Sequence, residues 1–257
     1  MTVNIQGAEI HYWVIGEGDA TVLLHGFLES SEIWEEFLPE FSRYGKIITI
    51  DLPGHGKSGC IDEIHSMELM AEVVLEVLKR TGVKKANFIG HSMGGYVGLA
   101  FLEENPGMVQ DFMLLNSTPQ EDSDEKKEIR DRSVELVKRN KQAYITMAIN
   151  NLLSPNNTNK FSEEIKALKQ RALEFPVQGI TAALKGMKIR TNKMQVLKSF
   201  AGNKIIVAGR EDPLVNNQEL KQLAEKAEGG FVSFSGGHLS YIENKLQFKK
   251  LCISSKK

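Results

Sequence analysis

Ala86-Asn87-Phe88-Ile89-Gly90-His91-Ser92-Met93-Gly94-Gly95 is the stretch whose reading decides the fold. A short apolar run leads into Gly90-His91-Ser92-Met93-Gly94, and a segment with helical periodicity and small residues, Gly94, Gly95 and Gly98, follows it. A G-x-S-x-G serine placed between a strand and a helix sits on a turn tight enough to push its hydroxyl out of the fold. Such a turn strains the serine backbone, and a side chain at either flanking glycine would collide with its neighbours. Three fixed positions recur by chance in a chain with 22 glycines, so the strand before and the helix after carry the argument. On that context Ser92 reads as a nucleophile.

Outward from this turn, strands and helices alternate. Residues 3–5 and 10–15 read as a hairpin of two short strands about Gly7. Residues 21–24 form a compact apolar strand ending at His25-Gly26, and Ile33, Trp34, Phe37, Leu38 and Phe41 follow at helical spacing. Residues 46–50 are the next strand, closed by Asp51-Leu52-Pro53-Gly54. From 66 to 80, Leu69, Val73, Val77 and Leu78 define a helix with basic residues in its last turn and Gly82 as its stop. A strand over 112–115 ends at Asn116-Ser117-Thr118-Pro119. Continuous apolar strands alternating with helices indicate a parallel sheet buried on both faces.

The alternation then breaks. From about 120 to 198 the chain holds only helical, charge-rich segments divided by Pro155, Asn156-Asn157 and Pro176. The sheet pattern resumes at 204–209, followed by a helix over 217–227, a strand over 231–234 and a helix after Gly236-Gly237-His238. Residues 1–119 and 199–257 therefore read as an α/β core, with 120–198 inserted as a helical cap and 254–257 as a solvated tail.

Composition narrows the function. A chain of 257 residues with 41% hydrophobic and 25% charged residues suits one large globular α/β unit. A formal net charge of −1 argues against a nucleic-acid partner. The first residues lack the basic and apolar regions of a secretory signal, and no apolar run nears the roughly 20 residues that cross a bilayer. Cys60 and Cys252, far apart, read as reduced thiols, so the cytoplasm is the expectation. The sequons at Asn116-Ser117-Thr118 and Asn156-Asn157-Thr158 then read as coincidental. The histidines and cysteines show no metal-ligand spacing, and no metal or cofactor is expected.

A serine hydroxyl needs a base to take its proton, and the base needs an anion to fix its tautomer. Among six histidines, His11 lies in a strand, His25 and His55 in tight glycine-containing turns, and His65 before a helix. His91 adjoins Ser92, so its side chain should point elsewhere from the elbow. His238 remains, after the last strand, where the C-terminal edge of a parallel sheet gathers its loops. For the acid, Asp212 ends the strand over 205–208, with Glu211 as its neighbouring rival or a solvated loop charge. The end of the preceding strand carries Asn116, which cannot hold the charge. Two N–H donors must face the developing oxyanion. These are read as the Met93 amide, directly after the nucleophile, and the Phe27 amide in the loop after residues 21–24. His25 reads as a loop-fixing residue.

With these pieces the chain strongly resembles the α/β-hydrolase superfamily across nearly its whole length. The resemblance is carried by His25-Gly26-Phe27, Asp51-Leu52-Pro53-Gly54-His55-Gly56-Lys57-Ser58, Gly90-His91-Ser92-Met93-Gly94-Gly95, Gly209-Arg210-Glu211-Asp212-Pro213 and Gly236-Gly237-His238. It implies an eight-stranded, mostly parallel sheet flanked by helices, a cap over the active site, and the chain order Ser92…Asp212…His238 for the triad. A serine at the elbow is unlike the haloalkane dehalogenases and epoxide hydrolases, which place Asp there.

Other readings compete. Gly54-His55-Gly56-Lys57-Ser58-Gly59 formally matches a dinucleotide fingerprint, but no helix opens after it, and no strand-end acid lies about 20 residues on. In the cap, Leu136, Tyr144, Met147, Ile149, Leu152, Leu153, Phe161 and Phe175 supply apolar faces, most of them for packing onto the core. The charged run 121–139 reads as a solvated helix face. Any apolar roof over the pocket would favour a small or medium acyl substrate. The leading expectation is a serine hydrolase of a carboxylic ester or related acyl compound. One alternative is C–C hydrolysis or a lyase step like that of the menaquinone-pathway synthase. Those synthases generally place Arg just after the elbow glycines, where Tyr96 stands. Another is a slow-turnover ligand receptor on a hydrolase scaffold.

Overall fold

A computed structural model describes residues 1–154, 157 and 159–254. Pro155, Asn156 and Thr158 of the second sequon, and the tail beyond Ser254 lie outside the described residues. The elements run β1 (Thr2–Ile5), β2 (Ala8–Ile15), β3 (Ala20–Leu24), α1 (Leu38–Phe41), β4 (Lys46–Ile50), α2 (Met67–Arg80), β5 (Ala86–His91), α3 (Met93–Glu104) and β6 (Val109–Leu115). Among the described residues five helices follow before the next strand: α4 (Asp124–Arg139), α5 (Lys141–Asn150), α6 (Ser162–Glu174), α7 (Val177–Ile189) and α8 (Met194–Ser199). The chain then closes with β7 (Lys204–Gly209), α9 (Asn217–Lys226), β8 (Gly230–Phe234), α10 (Ser240–Glu243) and α11 (Lys245–Ser254).

The strands form one eight-stranded sheet in the order β1-β2-β4-β3-β5-β6-β7-β8. The β1–β2 and β2–β4 pairs are antiparallel, and every pair from β4 to β8 is parallel. The continuous apolar run of β3 is buried at every position, as a strand covered on both faces requires. Gly98 leaves room for Phe112, and Phe88 stacks on Phe101 at 4.7 Å, which seats α3 against β5 and β6. On the opposite face, Phe248 of α11 meets Phe37 edge-on at 5.2 Å and Trp34 at 6.0 Å. Helix α2 starts where Ser66 accepts a hydrogen bond from the Leu69 amide, and its basic last turn suits the helix dipole.

Two expectations about element boundaries need correction. The apolar run Ile33 to Phe41 is not one helix: it divides into a 3₁₀ turn, Ser31–Trp34, and the single-turn α1. Pro39 lacks an amide hydrogen and can enter only a first helical turn, so the helix restarts there. Strand β6 begins at Val109, earlier than its apolar run, because its exposed start carries Gln110 and Asp111.

The insertion docks on the core where backbones nearly touch. A Cβ at Gly179 of α7 would overlap the Gly54 carbonyl, and the His65 amide donates to the Ala182 carbonyl at 3.1 Å. Helix α4 exposes most of its charges, but Asp122 just before it is buried, and Arg130 turns inward to it. The charged run is thus not solvated throughout. No described helix is long and apolar enough to cross a membrane.

Candidate active site

Phe27, Ser92, Asp212 and His238 follow β3, β5, β7 and β8, so parallel pairing gathers them at one edge of the sheet. Ser92 has φ 49°, a left-handed value that non-glycine residues seldom adopt. Its neighbours hold it there. The Ser92 amide donates to the Leu115 carbonyl at 3.0 Å, and its carbonyl accepts from the Gly95 amide at 2.9 Å and the Ser117 hydroxyl at 2.8 Å. A Cβ on Gly94 would strike the Leu24 carbonyl, so the elbow packs directly on β3.

The structure brings Ser92, His238 and Asp212 into one hydrogen-bonded line. His238 Nε2 lies 2.9 Å from Ser92 Oγ, and His238 Nδ1 lies 2.8 Å and 3.0 Å from the two Asp212 oxygens. The carboxylate accepts a hydrogen bond from Nδ1–H, which keeps the proton on Nδ1 and leaves Nε2 free to accept from the hydroxyl. Burial alone would raise the Asp212 pKa. The facing His238 and several hydrogen bonds, including those from Asn116 Nδ2 (2.8 Å) and the Leu214 amide (2.8 Å), hold it below the ordinary value. Glu211 is not in this line; it engages the Ser154 hydroxyl. Asn116, at the rival strand end, supports Asp212 and also donates to the Gly237 carbonyl at 3.1 Å.

Phe27 lines the same cavity as Ser92 and His238. Met93 opens α3, where an amide has no acceptor within the helix. His25 clamps loops: its Nδ1 donates to the Gly26 carbonyl at 2.8 Å, and its Nε2 accepts from the Leu52 amide at 2.9 Å.

His91 points away from the Ser92 hydroxyl but stays in the site. Its ring lies 5.2 Å from that of His238, and its Nδ1 lies 2.9 Å from Glu29. The buried Glu29 also accepts from the Gly26 amide at 2.6 Å and the Tyr241 hydroxyl at 2.9 Å. Sequence reasoning missed Glu29 and Tyr241. The local sequence Leu28-Glu29-Ser30-Ser31 carries no apolar pattern that would mark Glu29 as buried.

The cavity above Ser92 measures about 320 Å³. Of the insertion's apolar residues singled out from the sequence, only Leu152 lines it, joined by Ile129 and Met187. Tyr144, Ile149, Leu153 and Phe175 are buried in packing, and Met147 is exposed. Lys126, Arg130 and Asp122 also line the cavity. Beside it Arg190 pairs with Asp122 at 2.8 Å and stacks 4.0 Å above the Tyr96 ring. A larger hollow of about 860 Å³ lies by the opposite ends of β6 and β7, near Asp111 and Asn203, and contains none of these groups.

The glycine-rich loop after β4 is filled by its own aspartate. Asp51 accepts from the Lys57 amide at 2.9 Å and from the Ser31 amide at 2.8 Å. The Lys57 amide, one of the donors that a phosphate cradle would use, is thereby engaged. Asn116 is fully buried, so that sequon is closed to modification.

A family model described as alpha/beta hydrolase fold matches residues 20–245. A solved thermophilic esterase from Thermogutta terrifontis, with malate bound, superposes with a TM-score of 0.92 at 27% identity, covering 98% of this chain and 95% of that one. A pimeloyl-[acyl-carrier protein] methyl ester esterase from Methylococcus capsulatus is 36% identical over 104 residues, 40% of this chain and 39% of that protein. The (E)-2-((N-methylformamido)methylene)succinate hydrolase of Acinetobacter baylyi is 29% identical over 106 residues, 41% of this chain and 40% of that protein. The chain thus spans less than half the length of the curated relatives it matches first.

Proposed function

This chain belongs to the α/β-hydrolase family, and we propose that within it the protein is a serine hydrolase of small or medium carboxylic esters or related acyl compounds. The observation that carries the reading is the line from Ser92 Oγ through His238 to Asp212, at 2.9 Å and 2.8 Å. The esterase names of two relatives, one of them a structure covering 98% of this chain, favour ester substrates.

In this reading Ser92 Oγ attacks the substrate carbonyl while His238 Nε2 takes its proton. Asp212 holds the ring and balances its charge. The carbonyl oxygen becomes an oxyanion held by the Phe27 and Met93 amides, where one such donor is worth about 10²–10³ in rate. Collapse expels the alcohol, which leaves with the proton from His238, and the acyl group stays on Ser92. Water then attacks the acyl-enzyme, with His238 as base, and releases the acid. The insertion over 120–198 acts as a cap, its Leu152 and Met187 lining the cavity and excluding water from the acyl chain.

Stopped-flow hydrolysis of p-nitrophenyl esters of graded chain length tests the reading. Steady turnover that disappears in Ser92→Ala is the expected result. A stoichiometric burst followed by stalling would instead favour a receptor that turns over slowly.

A further inference from the structure

We propose that this site selects acyl substrates carrying a carboxylate, held by the guanidinium of Arg130; the inference rests on the hydrolase reading above. Two arginines share one aspartate at the roof of the cavity, and they differ in what they have left to give. Each of the three side-chain nitrogens of Arg190 has a partner. Its Nη2 meets Asp122 at 2.8 Å, its Nη1 donates to the Met187 carbonyl at 2.8 Å, its Nε donates to the Gln120 carbonyl at 3.2 Å, and its plane lies on Tyr96. Arg130 spends only its Nε, at 3.0 Å from Asp122. Among the described residues its two Nη groups have no hydrogen-bond partner, and its side chain remains 22% exposed where it lines the cavity. Asp122 is 1% exposed, and although burial opposes its charge, the two guanidiniums hold its pKa below the ordinary value.

The charge balance at this end of the cavity is therefore positive: Arg130, Arg190 and Lys126 face a single carboxylate. Among the described residues the ammonium of Lys126, one helical turn before Arg130, reaches only the Leu214 carbonyl, at 3.5 Å. The other charged groups of the cavity do not reverse this. Glu29 is paired with His91, and Asp212 is engaged behind His238. Leu152 and the buried Met187 line the cavity, and apolar neighbours strengthen an ion pair formed beside them. A guanidinium fixed through Nε offers its Nη pair as a planar fork, the geometry that matches a carboxylate. A cavity of about 320 Å³ admits a small acid ester rather than a polymer.

The test compares the mono-p-nitrophenyl ester of adipic acid with p-nitrophenyl hexanoate, and 4-butyryloxybenzoate with its methyl ester. These pairs place the carboxylate on the acyl and on the leaving side. The wild type should favour one anionic ester by on the order of ten- to a hundredfold in kcat/KM, mainly through KM, and rising salt should shrink the preference. Arg130→Gln should collapse that ratio, and Arg130→Lys should keep part of it. Equal handling of both pairs by the wild type overturns the inference and leaves the hydrolase reading standing. If Arg130→Gln does not fold, the wild-type ratio and its salt dependence decide. Absence of Ser92-dependent turnover on every ester overturns the hydrolase reading, and this inference with it.

Discussion

His91 Nε2 lies 3.0 Å from the backbone carbonyl of His238. The other ring nitrogen of His91 faces the Glu29 carboxylate, an arrangement that suits an imidazolium donating from both nitrogens. Burial opposes both charges, yet each stabilises the other: His91 is held above its ordinary pKa and Glu29 below its own. Through Gly26, His91 and Tyr241, one buried carboxylate ties together the loop after β3, the Ser92 turn and the helix after His238.

Glu29→Ala should therefore leave a buried imidazolium without its partner. The expected loss is about 3–5 kcal/mol of stability, read from urea unfolding. A loss below about 1 kcal/mol would show that the network is not a charged pair.

Asp212→Asn should lower kcat by about 10⁴-fold with the fold intact, because the amide supports the wrong imidazole tautomer. Glu211→Gln should change kcat only severalfold, since Glu211 bonds Ser154 and not His238. Steady-state kinetics on one ester decides between them, and a larger effect from Glu211→Gln would move the acid assignment.

Buried histidines predict how stability depends on pH. Burial pushes His55 down to about 3 and His65 down to about 4, from the usual 6.5. Below about pH 6.5 the unfolded chain binds protons that these folded residues refuse. Their contribution is complete above that pH and is lost as the pH falls toward 4, at about 1.4 kcal/mol per pH unit for each. His91 has the opposite sign: its contribution is complete below about pH 6.5 and fades as the pH rises through its raised folded value. Urea titrations between pH 7 and pH 5 should show falling stability, and a flat profile would contradict this account.

Gly179→Ala should lift α7 from the Gly54 turn, because the added methyl has only backbone to displace. Overpacking of this kind costs about 1–3 kcal/mol. Limited proteolysis should then cut the insertion faster than in the wild type, and unchanged protection would show that the contact yields easily.

Much of this was legible in the sequence for a physical reason. Strands buried on both faces write continuous apolar runs, as in β3 and β5, and tight turns write glycines, as around Ser92. Ser92, His238 and Asp212 were expected from strand ends and from the chain order the family resemblance implies, with Glu211 left as rival, and the structure places the three in hydrogen-bond reach. Long-range polar partners left no such trace. Glu29 meets residues 62 and 212 positions away, and Asp122 pairs with Arg190 across the insertion, so neither appears in any local pattern. Arg130 looked like one charge among many on an exposed helix, and only its turn toward Asp122 set it apart. The break at Pro39 was local but was outweighed by apolar spacing.

The most direct measurement is intact-mass analysis after exposure to a fluorophosphonate. The account predicts one phosphonyl adduct per chain, mapped by peptide sequencing to Ser92, absent from folded Ser92→Ala, and slowed in folded Asp212→Asn. A folded wild type that stays unlabelled, or labelling that persists in Ser92→Ala, would contradict it.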